Sequence, residues 1–195
     1  MKISNKETLD KAGERKSPFL TLEDATKIRI VSDVHGIKEH RILVNGQNRM
    51  IACPRENEMW RRETEGEQTD AEIPKCPLCE KKYPAKVAFL AMVINRANGE
   101  VKVLKKGTTV FGPIMEYNEE IGDVRGYDLN IKKKGKGLET EYTIIPLEKD
   151  NQPISGDETG RIESSDIDIG LMTTPREYDE IVEIIGENYP VYVPK

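Results

Sequence analysis

Polar and apolar residues alternate through residues 26–32, Thr-Lys-Ile-Arg-Ile-Val-Ser, the two-residue period of a strand with one buried face. Residues 40–44, His-Arg-Ile-Leu-Val, predict a second strand that runs into Asn45-Gly46, a pair suited to a tight hairpin turn. Residues 54–73 are poor in aliphatic side chains and rich in Glu and Arg, so they predict a loop or an exposed helical insertion. The strongest apolar run, residues 86–95, has a length open to helix or strand. The Asn98-Gly99 turn and the Val101-Lys-Val-Leu104 that follow it favour a two-strand hairpin. Residues 108–120 place Val110, Phe111, Ile114, Met115 and Tyr117 at helical spacing, with Pro113 expected in the first turn or at a break. Tyr127-Asp-Leu-Asn-Ile131 and residues 139–145 predict two further strands around a lysine- and glycine-rich tip.

Five or more short strands with a helix among them predict a mainly β fold, a small barrel of the OB type. The cysteine-bearing insertion, at about residues 53–85, follows its second strand. The barrel core spans residues 17–147. Residues 1–16 are polar and aperiodic and read as a flexible N-terminal arm. In the C-terminal region, residues 148–195, a polar linker over 150–170 precedes a helix over 174–187, with Thr174 as its cap and Pro175 in its first turn.

Charge changes the picture through its distribution. The net charge is −5, but residues 148–195 hold 12 acidic and 4 basic side chains, which leaves +3 on residues 1–147. A mildly basic body joined to an acidic region remains compatible with an anionic partner. No run of 18 apolar residues predicts a membrane span, and the lysine-rich start lacks the apolar stretch of a secretory signal. A cytoplasmic protein is expected.

Three cysteines, one of them alone and two in Cys76-Pro-Leu-Cys79, argue for metal chemistry over a disulfide framework. The C-x₂-C knuckle lets two thiolates meet one ion, Cys53 supplies a third, and a histidine completes a four-ligand set. The chain has two histidines, His35 and His40. His40 is favoured, because a hairpin at Asn45-Gly46 would bring it back to Cys53; His35, in Asp33-Val-His-Gly36, reads as a turn residue. Three thiolates and an imidazole leave no open position, so the ion expected is a structural Zn²⁺. No His-Glu-x-x-His, phosphate-binding glycine loop or nucleophile triad is present, and no enzyme is expected. Glu116, Glu119, Glu120 and Asp123 read as the solvated side of a helix.

Together, these residues resemble the zinc-containing single-stranded DNA-binding proteins of tailed bacteriophages, the helix-destabilising family. The resemblance rests on His40, Cys53, Cys76 and Cys79; on residues 19–30, similar to the family's first barrel strand; and on residues 127–142, similar to its basic hairpin. It implies an OB-fold, a zinc subdomain and sequence-tolerant binding of single strands in replication, recombination or repair; a body of only +3 predicts modest, salt-dependent affinity, for which self-association along DNA could compensate. It also implies contacts of an acidic C-terminal region with replication or recombination proteins. Positive candidates for phosphate contact are Lys27, Arg29 and Arg41 on the first strands, Lys102, Lys105 and Lys106, and Lys132, Lys133, Lys134 and Lys136 in the hairpin. Trp60, flanked by Arg61 and Arg62, is the foremost stacking candidate; Tyr127 and Tyr142 share strand faces with aliphatic residues and read equally as stacking or as core, while Phe89 and Phe111 read as core. An acidic tail that competes with DNA predicts that deleting residues 148–195 raises affinity. The alternative is a zinc-stapled protein-interaction module of a replisome with little or no DNA binding.

Overall fold

A computed structural model of the protein describes residues 17–66, 71–148 and 153–194; the arm expected over residues 1–16 lies outside them. Among the described residues, seven strands make one antiparallel sheet. β1 (Ala25–Ile30) and β2 (His35–Val44) lie end to end along one edge of β4 (Ala85–Asn95). Ile28 and Ile30 pair with Asn95 and Val93, and His35 to His40 pair with Leu90 to Ala85. At the junction Val31 N donates to Met92 O at 2.9 Å and Met92 N donates to the Ser32 hydroxyl at 2.8 Å. β1 and β2 therefore act as one long bent strand.

Its far edge is shared. β6 (Leu129–Lys134) pairs with β1, and β3 (Gln47–Ala52) pairs with β2. β7 (Glu141–Pro146) extends the sheet from β6, and β5 (Val101–Lys106) covers the other edge of β4. The mainly β expectation holds at this level, but the sheet is not closed into a barrel. No ladder joins β5 to β7 among the described residues.

Six α-helices flank the sheet among the described residues: α1 (Pro54–Glu65), α2 (Pro77–Glu80), α3 (Thr108–Glu120), α4 (Gly156–Glu163), α5 (Ile169–Thr173) and α6 (Tyr178–Ile185). α3 has the predicted span, with Pro113 in its interior and no break there. Val110, Phe111 and Ile114 are buried against the sheet. At about 1.5–3 kcal/mol per buried side chain, they outweigh the ~3 kcal/mol that an interior proline costs. Beneath them Ile28, Ile30, Val93, Leu104, Ile131 and Ile144 form the main core.

The C-terminal region departs from expectation. Within the proposed linker, Ser155 and Glu158 form a capping box that starts α4, a Ser-x-x-Glu signal. The last helix begins at Tyr178 behind a Glu177–Glu180 capping box. Thr174 is extended instead, as a residue before proline tends to be. The region runs over the sheet as a strap. α4 is tied down by Arg96, which binds Glu158 at 2.7 Å and Asp128 at 3.0 Å; Arg29 binds the same Asp128 at 2.7 Å. α5 buries Ile169 on Ile37, Ala88, Leu90 and Val103, the sheet face opposite the main core. α6 buries Ile181 and Ile185 in a third cluster, with Ile42, Ile51, Cys53, Cys76 and Leu78.

Candidate metal centre and the adjoining sheet face

Asn45 and Gly46 have φ of 50° and 75°, the two positive values of a type I′ turn, and they fold β3 back on β2. His40 thereby pairs with Ile51 on one side and Ala85 on the other, and Cys53 follows the end of β3. Cys53 caps α1, its sulfur accepting from Glu56 N at 3.3 Å, so the helix N-terminus faces a sulfur that would carry negative charge. Cys76 and Cys79 lie on the turn of α2, where Pro77 fills the first helical position.

The four ligand atoms all lie within 4.8 Å of one another. His40 Nε2 is 3.5 Å from Cys76 Sγ and 3.6 Å from Cys79 Sγ, and Cys53 Sγ is 3.4 Å from Cys79 Sγ. Zn–S bonds of about 2.3 Å and Zn–N bonds of about 2.0–2.1 Å at tetrahedral angles put N and S about 3.6 Å apart and two S atoms about 3.8 Å apart. The donor set therefore suits one tetrahedral ion, with small opening of the sulfurs. His40 and Cys53 are fully buried, and His35 is exposed at the start of β2. His40 Nδ1 is buried with no hydrogen-bond partner among the described residues, so packing between β3 and β4 orients the ring.

Without an ion the cluster shares its protons unevenly. Hydrogen bonds with Cys76 and Cys79, helped by burial, push the Cys53 thiol up, while hydrogen bonds from Cys53 and Cys79 hold the Cys76 thiol well down. Burial lowers the His40 pKa, but hydrogen bonds and charge from Cys76 and Cys79 outweigh it and raise the group to about 9. A divalent cation would replace these protons and let all three sulfurs ionise.

Beside this centre one sheet face carries a row of aromatic and lysine side chains. Cross-strand partners project to the same side. Gly36 pairs with Phe89, Phe89 with Lys106, and Lys133 with Tyr142. Lys106 Nζ spans the unpaired gap between β5 and β7, 3.5 Å from Tyr142 Oη and 5.4 Å from its ring centroid. Trp60 from α1 meets Phe89 edge-on at 6.3 Å, with Lys38 Nζ 5.8 Å from its ring centroid. A Cβ at Gly36 would overlap the Trp60 ring, so this seat requires glycine. Phe89, Trp60, Lys106, Lys133 and Tyr142 are each partly exposed.

The sequence-predicted contacts divide accordingly. Lys106, Lys133, Tyr142 and Trp60 lie in the row; Lys132, Lys134 and Lys136 are more exposed, around the hairpin tip. Trp60 is seated on Gly36 and Phe89, where an open insertion had been expected. Arg61 and Arg62 bind Glu58 at 3.0 and 2.8 Å, which places them in the helix's own ion pairs. Arg29 is buried on Asp128, and Tyr127 is buried in the main core; neither reaches a groove. Lys105 faces the other side, in an ion pair with buried Glu39, and Arg41 is exposed 3.5 Å from that carboxylate. Lys102 contacts Ser17 O at 3.1 Å and Glu100 at 3.7 Å, while Lys27 is exposed on the Arg29 side of β1. Lys38, which the sequence did not single out, also belongs to the row; Phe89 adjoins it while packing against the main core, as expected, with its ring 5.6 Å from that of Phe111. No helix among the described residues is long and apolar enough to cross a membrane.

Compared with known proteins, the chain matches no family model and no curated protein.

Proposed function

We propose that the protein binds single-stranded DNA without sequence preference along the aromatic–lysine row, with a structural zinc holding the lobe that carries Trp60. The row carries this reading. Single-strand binders pair aromatic rings, at ~1–3 kcal/mol per stacked base, with cations that follow the phosphates. Trp60, Phe89 and Tyr142 lie here among Lys38, Lys106 and Lys133, and the basic hairpin of β6 and β7 extends the row.

The order of elements supports an opened OB-type barrel. One long bent strand is followed by three more, β3, β4 and β5, then α3, then a hairpin whose first strand pairs with β1. Three thiolates and an imidazole would fill all four zinc positions, which suits a staple and leaves no site for a reacting water. The resemblance to phage helix-destabilising proteins supplies the role in replication, recombination or repair, with the acidic strap as the face for protein partners.

The test is titration of the zinc-replete protein with a thymidine oligonucleotide and with duplex DNA at two salt concentrations, read by Trp60 fluorescence. Tight, salt-sensitive binding of the single strand with quenching is expected. Absence of single-strand binding at low salt would sink the reading. A protein-interaction module would then take its place, a reading that exposed Leu43 and Met50 on one side of the β2–β3 hairpin favours.

A further inference from the structure

We propose that the cleft between α1 and residues 173–177 receives a base of the bound strand, so that the C-terminal strap forms one wall of the DNA site. This rests on the single-strand reading above. The cleft has a volume of about 670 Å³, and Gly36 and Trp60 line it as well as belonging to the aromatic–lysine row. A strand lying on the row would therefore enter the cleft at Trp60 without leaving the surface.

The chemistry of the walls suits a base better than a phosphate. Arg61 and Arg176 share the lining with Glu58 and Glu177, so the cleft has no excess of positive charge. A neutral flat base avoids the carboxylates, and its phosphates stay on the lysines outside. The Thr64 hydroxyl donates to Trp60 O at 2.9 Å, that of Thr173 to Ile169 O at 2.9 Å and that of Thr174 to Gly170 O at 2.8 Å. Each oxygen keeps a lone pair for an N–H on a base edge. All four DNA bases carry such an N–H, so this wall would tolerate sequence.

Both walls are held in place before any ligand arrives, which lowers the ordering cost of binding. Asn57 fixes α1 to β2, accepting from Lys38 N and donating to Lys38 O, both at 2.8 Å. The opposite wall runs between buried Ile169 of α5 and buried Ile181 of α6.

Two substitutions that fill the cleft from opposite walls, Thr64→Phe and Thr174→Phe, test the proposal, with Lys106→Ala as a control on the row. Affinity for a thymidine oligonucleotide, Trp60 quenching and photocrosslinks from an iodouridine-substituted strand are measured in each. Both filled variants are expected to bind about tenfold or more weakly, as for loss of one stacked base. The wild-type strand is expected to crosslink to residues 173–176. Wild-type affinity in both filled variants, with crosslinks confined to the row, would overturn the cleft while Lys106→Ala still weakens binding. Failure of the wild-type protein to bind any strand would instead remove the single-strand reading itself, and the cleft proposal with it.

Discussion

His40 and Cys53 owe their meeting to one hairpin, whereas Cys76 and Cys79 owe theirs to one helical turn. Loss of any of the four opens the tetrahedron. Cys79→Ser and His40→Ala are expected to lose most of their bound zinc on dialysis, and His35→Ala to keep it. Metal content by elemental analysis checks this, and a zinc-depleted His35→Ala protein would reassign the fourth ligand. The protons set a pH dependence. In the metal-free cluster the His40 pKa is raised to about 9, so its imidazolium stabilises the fold fully below its ordinary value of 6.5 and that contribution is lost as pH rises through about 9. Zinc works in the opposite sense, because it needs the neutral ring and must displace that proton. Apparent zinc affinity, measured by chelator competition, should rise with pH from 6 to 9. An affinity already flat at pH 7 would show that neither the imidazole nor the Cys53 thiol is protonated in the empty site.

At the scale of elements, Asp128 joins the ends of β4 and β1 and the approach to β6 through Arg96 and Arg29. Asp128→Ala removes the carboxylate that two buried arginines share, and breaking a buried pair costs about 3–5 kcal/mol. A lower urea midpoint with an unchanged slope is expected; a loss under 1 kcal/mol would show that the arginines relax to water or other partners. This network also marks a limit of reading elements from pattern. The period that revealed β1 also put Arg29 on its polar side, and Arg29 is buried here because the chain brings Asp128 to it from 99 residues away, while Lys27 on the same side stays exposed. Strand β4, helix α3 and the turn at Asn45-Gly46 were legible because their signals are local. The metal ligands were legible because thiolates and imidazole have few other uses in this spacing. Strand β3 was not, since its exposed Gln47, Asn48 and Arg49 show no apolar alternation and it exists by pairing with β2. Nor was the seat of Trp60, which depends on a glycine 24 positions earlier meeting it across the fold.

Across the whole molecule, the row and the strap make distinct claims. Lys106→Ala should reduce the slope of log affinity against log salt by about 0.7, the value of one single-strand phosphate contact, whatever the sequence of the strand. An unchanged slope would take Lys106 off the phosphate path. For the strap, acidity alone predicts that its removal unmasks the basic body, but its packing predicts the reverse. α5 covers the sheet face opposite the row, so its acidic neighbours do not lie over Lys106 and Tyr142. Ile169, Ile181 and Ile185 each bury a side chain worth about 1.5–3 kcal/mol, against a total stability of about 5–15 kcal/mol for an ordinary domain. Two of the three sit in the cluster that contains Cys53 and Cys76. Deleting residues 153–194 should therefore lower the melting temperature, speed zinc loss to a chelator and weaken single-strand binding together. Because truncation removes three buried isoleucines at once, Ile181→Asp supplies the milder test: it charges the contact between α6 and the metal lobe while leaving the strap covalently present. Faster zinc release in that variant, with the far-UV spectrum retained, would tie the strap to the metal centre. A truncated protein that stays folded, holds its zinc and binds DNA more tightly would restore the strap as a competitor for the groove.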